Sequence, residues 1–313
     1  MTLTILFAAG ADSWAAYERP LRAALAEHLG NRDAEVVTDA APESVDYIVY
    51  APDSWLSDFT PYTRLKAVLN LWAGVENVVS NRTLTAPLAR MVDDEGLTQG
   101  MVEWVTGHVL RHHLGMDAHI VNPDRRWDHQ PPPLATERTV AILGLGALGA
   151  ACGTALSDLG FRVRGWSRSQ KGVPGISCRA GEEGLAPTLD GADIVVLLLP
   201  DTPGTRCVLN ARSIAWLAPG AVVINPGRGA LVDDDALLAA LESGRLSHAT
   251  LDVFRTEPLP REHPFWAHER VTVTPHIASE TRASSAARAI AANIARAEAG
   301  RPLKGRVDRA AGY

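Results

Sequence analysis

Three polar residues carry the sharpest chemical signal in this 313-residue sequence. Arg228 follows the apolar run AVVINPG, Glu257 lies in LDVFRTEPL just beyond ATLDVF, and His276 follows VTVT in VTVTPHIA. A guanidinium is a fixed cation suited to a carboxylate and to a carbonyl oxygen gaining charge. An imidazole exchanges protons near neutral pH, and a carboxylate beside it favours its charged form. These are residue types for gripping an anion or a carbonyl and for exchanging a proton. Taken singly, each has a plainer reading: Arg228 in a loop ion pair, Glu257 as an acid opening a helix, His276 as a satisfied core histidine. The three lie 29 and 19 positions apart. They can converge if the runs before them are strands of one doubly wound sheet, whose carboxyl ends share the edge where ligands bind.

A second signal lies upstream. Between the strand-like TVAIL and the helical ACGTALSDLG stands Gly144-Leu145-Gly146-Ala147-Leu148-Gly149. Gly144 allows a tight turn, Gly146 lets backbone approach a pyrophosphate at a helix N-terminus, and Gly149 lets helix and strand pack closely. Its place inside a βαβ pattern makes this loop a dinucleotide site. The next strand, FRVRGWS, ends in Ser167-Arg168-Ser169 with Lys171 just beyond, and no Asp or Glu waits there for a ribose 2′-hydroxyl. A hydroxyl and a guanidinium suit a 2′-phosphate, so NADP(H) is expected over NAD(H), with Arg168 as main determinant and NAD(H) still usable. A solvated Arg-Ser turn is the plainer alternative.

The elements that must position these groups alternate along the chain. TLTILFA and VDYIVYA read as the first two strands, with a helix over WAAYERPLRAALAEHL between them. RLKAVLNLWAGVENVV adds a strand and a glycine turn, closing a small βα unit near Asp94. From Gly96, GLTQGMVEWVTGHVLRHHLGMDAHIVN reads as one long helix, followed by the proline-rich PDRRWDHQPPP. TVAILG, FRVRGWS, ADIVVLLLP, AVVINPG, ATLDVF and VTVTPH then read as strands of a helix-covered parallel sheet. The alanine-rich tail from Ser279 to Ala299 reads as a helix able to return to the first domain.

GLGALG, INPGRG, LDVFRTEPL and TPHIA, in this order, resemble the D-isomer-specific 2-hydroxyacid dehydrogenase family. WAGVENV, WSRSQK, LPDTPGT and VDRAAGY point, within it, to the reductases of glyoxylate and hydroxypyruvate. The resemblance spans essentially the whole chain and implies an α/β fold of two doubly wound parallel-sheet domains. A smaller, flavodoxin-like substrate domain would comprise residues 1–100 and 279–313, and a Rossmann cofactor domain residues 101–278, with a cleft between them. It implies reduction of a small 2-oxo acid by hydride transfer, with His276 as proton donor, Glu257 tuning it and Arg228 binding substrate. Cofactor contacts would extend from the glycine loop, Ser167, Arg168, Ser169 and Lys171 to Leu199, Pro200, Pro226 and Asp252. Backbone amides of Trp72-Ala73-Gly74-Val75 would grip the substrate carboxylate beside Arg228 and His276. Homodimerisation is a further family expectation, and DAHIVNPDRRWDHQPPP with Trp127 is a candidate arm for it.

The sequence also departs from the family pattern. Trp72 stands where close relatives carry a small residue, Glu76 replaces an Asp, and Pro226 fills an unusual slot before Arg228. Trp72 would either narrow the pocket or pack behind the loop, and Trp55 would line a pocket loop or sit in the core. Two alternatives follow: a bulkier 2-oxo acid such as phenylpyruvate, or a dinucleotide-sensing protein without turnover. Joint presence of Arg228, Glu257 and His276 argues against the sensor.

Composition narrows the rest. Net charge is −6 and only Lys66, Lys171 and Lys304 are lysines, so no basic, aromatic-interleaved surface marks a nucleic-acid partner. No apolar run reaches the ~20 residues of a membrane span, and MTLTILFAAGADSW lacks the basic start of a signal peptide. Three scattered cysteines without CxxC spacing fit a reducing compartment and an expected cytoplasmic location. His108, His112 and His113 share helical spacing, but no carboxylate pattern completes a metal site, and none is expected. Asp233, Asp234 and Asp235 read as a helix N-cap cluster, and Ser167 lacks a nucleophile elbow, so hydrolase chemistry is not supported.

Overall fold

Short aliphatic runs, apolar on both faces, set the strands, and each is long enough to cross one sheet and no more. The computed structural model describes residues 2–309, so the last four residues of VDRAAGY lie outside the described part. The chain divides into two compact units, Met1–Leu97 with Glu280–Tyr313, and Thr98–Ser279.

The first unit holds five parallel strands: β1 (Leu3–Ala8), β2 (Ala34–Val37), β3 (Tyr47–Tyr50), β4 (Ala67–Asn70) and β5 (Leu88–Ala89). Their spatial order is β2-β1-β3-β4-β5, the flavodoxin-like arrangement. Residues alternate between the two faces. Ile5, Phe7, Tyr47, Val49 and Leu69 pack beneath the helices Ala11–Leu29 and Ala283–Glu298. Leu6, Ile48, Tyr50 and Val68 meet Leu56, Phe59, Leu84 and Val307 on the other face. The returning C-terminal helix is tied down at its end. Glu298 accepts from the Tyr47 hydroxyl at 2.5 Å and pairs with Lys66 at 2.8 Å and Arg32 at 2.5 Å. VDYIVYA is therefore the third strand and not the second. The half-exposed AEVV, with one buried position, forms β2, and the two-residue β5 is too short to show any periodicity.

The second unit is a seven-stranded parallel sheet of β6 (Thr139–Leu143), β7 (Arg162–Ser167), β8 (Ile176–Ala180), β9 (Ile194–Leu197), β10 (Ala221–Asn225), β11 (Leu246–Leu251) and β12 (Val271–Val273). Their order, β12-β11-β10-β9-β6-β7-β8, reverses between β6 and β9, the switch point of a dinucleotide-binding fold. Two α/β domains with parallel sheets are thus the architecture, as the alternating pattern implied. β8, ISCRA, was not expected, because its alternating burial and lone aliphatic leave no apolar run. The long helix expected from Gly96 is interrupted. A π-turn spans Asp94–Thr98, the α-helix proper spans Gln99–His113, and Gly115 in a left-handed conformation (φ 61°) precedes a short helix Met116–Ile120. No helix among the described residues is long and apolar enough to cross a membrane.

The helix Gln99–His113 packs on β10 through Val105 and Val109 against Val222 and Ile224. Its His112 reaches β11, with the His112 and His248 ring centres 4.8 Å apart. Burial is the main cause that pushes His112 down to about 3 and His248 to about 4, and it also lowers His108 and His113. Each is held neutral in the fold and takes up a proton near 6.5 when exposed. The unfolded chain therefore binds more protons below that value, and stability falls as pH drops from about 6.5 toward 4. Urea midpoints measured from pH 7.5 to 4.5 should decline steadily below 6.5, and His248→Gln should make that decline shallower.

Candidate active site

The second-unit residues expected to serve catalysis or the cofactor lie at the carboxyl edge of the seven-stranded sheet. The glycine loop follows β6, Ser167 ends β7 with Arg168, Ser169 and Lys171 beyond it, Leu199 and Pro200 follow β9, Pro226 and Arg228 follow β10, Asp252 and Glu257 follow β11, and His276 follows β12. Because β10, β11 and β12 are adjacent and parallel, the three widely spaced polar residues emerge on one side.

The best-defined contact is a short bond between His276 Nδ1 and Glu257 Oε2, 2.7 Å. An ionised carboxylate only accepts, so Nδ1 donates and Nε2 is left as the ring's second proton-carrying atom. The other oxygen of Glu257 accepts from the Phe254 amide at 2.8 Å, which fixes the carboxylate before it meets the ring. The His276 side chain is 52% exposed, so it is not a core histidine, and Glu257 opens no helix. Two of the plainer readings are thereby removed.

The loop carrying His276 is held from below. Asp252 is fully buried, and its Oδ1 accepts from the Thr274 hydroxyl at 2.6 Å and the Ile277 amide at 2.9 Å. Its Oδ2 accepts from the Ala278 amide at 2.9 Å, and its carbonyl accepts from the His276 amide at 2.9 Å. The sequence reading placed Asp252 among cofactor contacts. The structure spends its carboxylate on the histidine loop, since a charge this deep needs several donors. Within that loop His276 adopts φ 54°, a left-handed conformation rare for a side chain of its size.

Arg228 is positioned by an asparagine that the sequence reading passed over. Asn225 ends β10, is almost fully buried, accepts from the Gly227 amide at 3.1 Å and donates to the Arg228 carbonyl at 3.0 Å. The guanidinium donates to the Gly227 carbonyl at 2.7 Å. Gly229 presses on the next loop so closely that a Cβ there would fall 2.0 Å from the Phe254 carbonyl carbon. The arginine loop thus abuts the segment whose Phe254 amide holds Glu257. Pro226 is buried at this turn.

The same device recurs in the first unit. Asn70 ends β4, is almost fully buried, and donates to the carbonyls of Trp72 at 2.8 Å and Gly74 at 2.9 Å. That bonding shapes the Trp72-Ala73-Gly74-Val75 turn. Trp72 is 46% exposed and Trp55 64%, so neither is a core residue. In hindsight the signal was an asparagine closing an apolar run just before a glycine loop, LN-LWAG and IN-PGRG.

The glycine loop divides into structural and open positions. A Cβ on Gly149 would fall 1.7 Å from the Gly144 carbonyl oxygen, and one on Gly144 would fall 2.4 Å from that of Leu198. Around Gly146 nothing lies within 4 Å, and no side chain caps the helix Ala147–Asp158 that begins there. First-turn amides at such a terminus attract an anion, so this loop fits a pyrophosphate. Gly146 and Ala147 are exposed and Leu148 half-buried, whereas the Leu145 side chain packs over Gly165. At the end of β7, Ser167 turns inward and donates to the Ser169 carbonyl at 2.8 Å. It shapes the turn, and Arg168, Ser169 and Lys171 are left at the surface.

Residues 107–278 match the family described as D-isomer specific 2-hydroxyacid dehydrogenase, NAD binding domain. The chain belongs to this family. Among curated relatives, glyoxylate/hydroxypyruvate reductase A of Serratia proteamaculans (strain 568) is 45% identical over 258 residues, covering 80% of this chain and 82% of that protein. Among solved structures, a D-isomer specific 2-hydroxyacid dehydrogenase from Xanthobacter autotrophicus Py2 in complex with NADPH and MES superposes with a TM-score of 0.90. It is 38% identical, with both chains covered in full. An NADPH-dependent glyoxylate/hydroxypyruvate reductase from Sinorhizobium meliloti in complex with NADP and sulfate gives 0.84 at 34% identity, covering 100% of this chain and 99% of that one. The chain is an NAD(P)-dependent oxidoreductase of the 2-hydroxyacid dehydrogenase type.

In this dehydrogenase the two kinds of glycine should separate experimentally. Gly149→Ala forces backbone apart and should cost about 2 kcal/mol or more, whereas Gly146→Ala meets open space. Thermal unfolding of the ligand-free protein should show a Tm lower by roughly 5 °C for the first and within about 2 °C of wild type for the second.

Proposed function

We propose that the protein reduces small 2-oxo acids, glyoxylate to glycolate and hydroxypyruvate to glycerate, with NADPH as reductant. The observation that carries this reading is the Glu257–His276 pair at the same strand edge as Arg228 and the glycine loop. The names of the similar proteins from Serratia and Sinorhizobium support the substrate class, and the NADPH and NADP of the two solved structures support the cofactor.

When bound, the reduced nicotinamide supplies the hydride that adds to the substrate carbonyl carbon. The chain's own residues do the remainder. His276 gives its Nε2 proton to the carbonyl oxygen as that oxygen gains charge, completing the hydroxyl. Glu257, itself held by the Phe254 amide, fixes the ring so that Nε2 is the atom presented. Arg228 pairs with the substrate carboxylate and polarises the carbonyl. The turn Trp72–Val75, in a substrate-binding domain made of residues 1–100 and 279–313, offers backbone amides suited to a carboxylate. Gly146 and Ala147 would hold the pyrophosphate, and Leu199, Pro200, Pro226 and the loop anchored on Asp252 would hold the nicotinamide end. Arg168, with Ser169 and Lys171, would hold the 2′-phosphate, where NAD-selective sites place a carboxylate.

The finer expectations rest on the same unit. Ile120, Val121, Trp127 and Leu134 are strongly exposed, with Trp127 at 94%. An apolar stretch of this kind supports an arm that packs on a second copy in a homodimer. Three unpaired cysteines support a cytoplasmic location.

Steady-state kinetics test the assignment directly. His276→Ala should lower kcat by about three orders of magnitude or more with a modest effect on KM, while Arg228→Ala should raise KM and lower kcat together. Near-normal turnover in either variant overturns the assignment, and a better rate with phenylpyruvate than with glyoxylate overturns the substrate class. Arg168→Ala should raise the KM for NADPH about tenfold or more while changing that for NADH little. Equal losses with both cofactors would remove Arg168 as the phosphate contact.

A further inference from the structure

Away from the strand edge, the fold assembles three potential metal ligands that sequence spacing does not connect. His112 lies near the end of the helix Gln99–His113, Asp117 in the short helix after the Gly115 break, and His248 on β11. One ligand atom from each lies within 4.8 Å of the other two.

The chemistry around the two rings suits coordination. His112 Nε2 meets the Thr250 hydroxyl at 2.8 Å, and His248 Nε2 meets the Thr272 hydroxyl at 2.9 Å. Thr250 and Thr272 are register partners on β11 and β12, so the sheet itself spaces the two anchors. A ring that donates through Nε2 keeps its lone pair on Nδ1, and an outer hydrogen bond to the far nitrogen is the usual support of a metal-binding histidine. Burial keeps both imidazoles neutral at physiological pH, the form that coordinates. Asp117 supplies the carboxylate. Its Oδ1 accepts from Arg111 Nε at 2.7 Å, and Oδ2 is its second donor atom.

We propose that His112, Asp117 and His248 bind a divalent transition-metal ion of the Zn2+ class. Two imidazoles and one carboxylate with a fourth position for water are a recurrent zinc set. Bond lengths of ~2.0–2.2 Å require the ligand atoms to close to roughly 3.5 Å, so the side chains move inward by about an ångström. The Arg111 guanidinium opposes the ion's charge, which sets the affinity below that of a dedicated structural zinc site. The bound ion would fasten the helix Met116–Ile120, at the root of the exposed 120–134 stretch, to β11. The proposal is independent of the chemistry assigned to Arg228, Glu257 and His276.

The test uses full-length, tag-free, chelator-treated protein and Zn2+ as probe, with Co2+ for its visible absorption. Calorimetry should show one Zn2+ per chain with micromolar Kd, and Zn2+ should raise Tm in a concentration-dependent way. His248→Gln and Asp117→Asn should each weaken binding at least tenfold and reduce the Co2+ bands, whereas His129→Gln, on the exposed stretch, should bind as wild type does. Affinity unchanged in folded His248→Gln overturns the proposal, as does wild-type Kd above a millimolar. Should His248→Gln fail to fold, Asp117→Asn decides in the same way, since a folded Asp117→Asn protein with wild-type affinity removes the site.

Discussion

A carboxylate that solvent does not reach is tolerable only if its lone pairs are filled. Asp252 fills them with the Thr274 hydroxyl and the amides of Ile277 and Ala278, all from the segment that follows β12. One buried charge therefore decides where the chain goes after the last strand of the sheet, and with it where the proposed acid stands. Glu257 can meet His276 at 2.7 Å because that segment has nowhere else to go. The geometry of the strand edge is a consequence of satisfying Asp252.

Buried polar residues at strand ends are the common principle of the two sheets. Asn70 and Asn225 each close an apolar strand and turn their amides onto the loop that follows, where Ser and Asp would leave part of that bonding unmade. Each loop is thus tied to the rigid sheet at its root, and its backbone amides and side chains project from a fixed base. Sites built this way need no long ordered loops, because the strand supplies the rigidity.

How far the sequence revealed this depends on what kind of signal each feature leaves. Strands such as IVVL and AVVIN are apolar on both faces and read plainly. AEVV and ISCRA do not, since edge strands need little burial, and the buried two-residue β5 is too short to leave a period. Arg228, Glu257, His276 and the glycine loop stood out because each interrupts an apolar run with a residue costly to place there. Asn70 and Asn225 passed unnoticed because their work is bonding to nearby backbone, which composition does not display. Asp252 stood out only through the family pattern, as a cofactor contact, and the coordinates add the loop that takes its oxygens. His248 and Asp117 were invisible beside His112 because strand and helix bring them together across 136 and 5 positions. The break at Gly115 that frees Asp117 to turn was hidden inside an otherwise helical pattern.

The left-handed backbone at His276 has a further consequence. Such a conformation costs a β-carbon-bearing residue ~1–2 kcal/mol, and glycine or asparagine would occupy it with less strain. Stability alone would therefore favour losing the histidine. A descendant relieved of selection for turnover should drift toward glycine here while Asp252 and its loop persist. With His276 as the proposed acid, position 276 is thus a marker by which a chain of this fold can be sorted as working or retired.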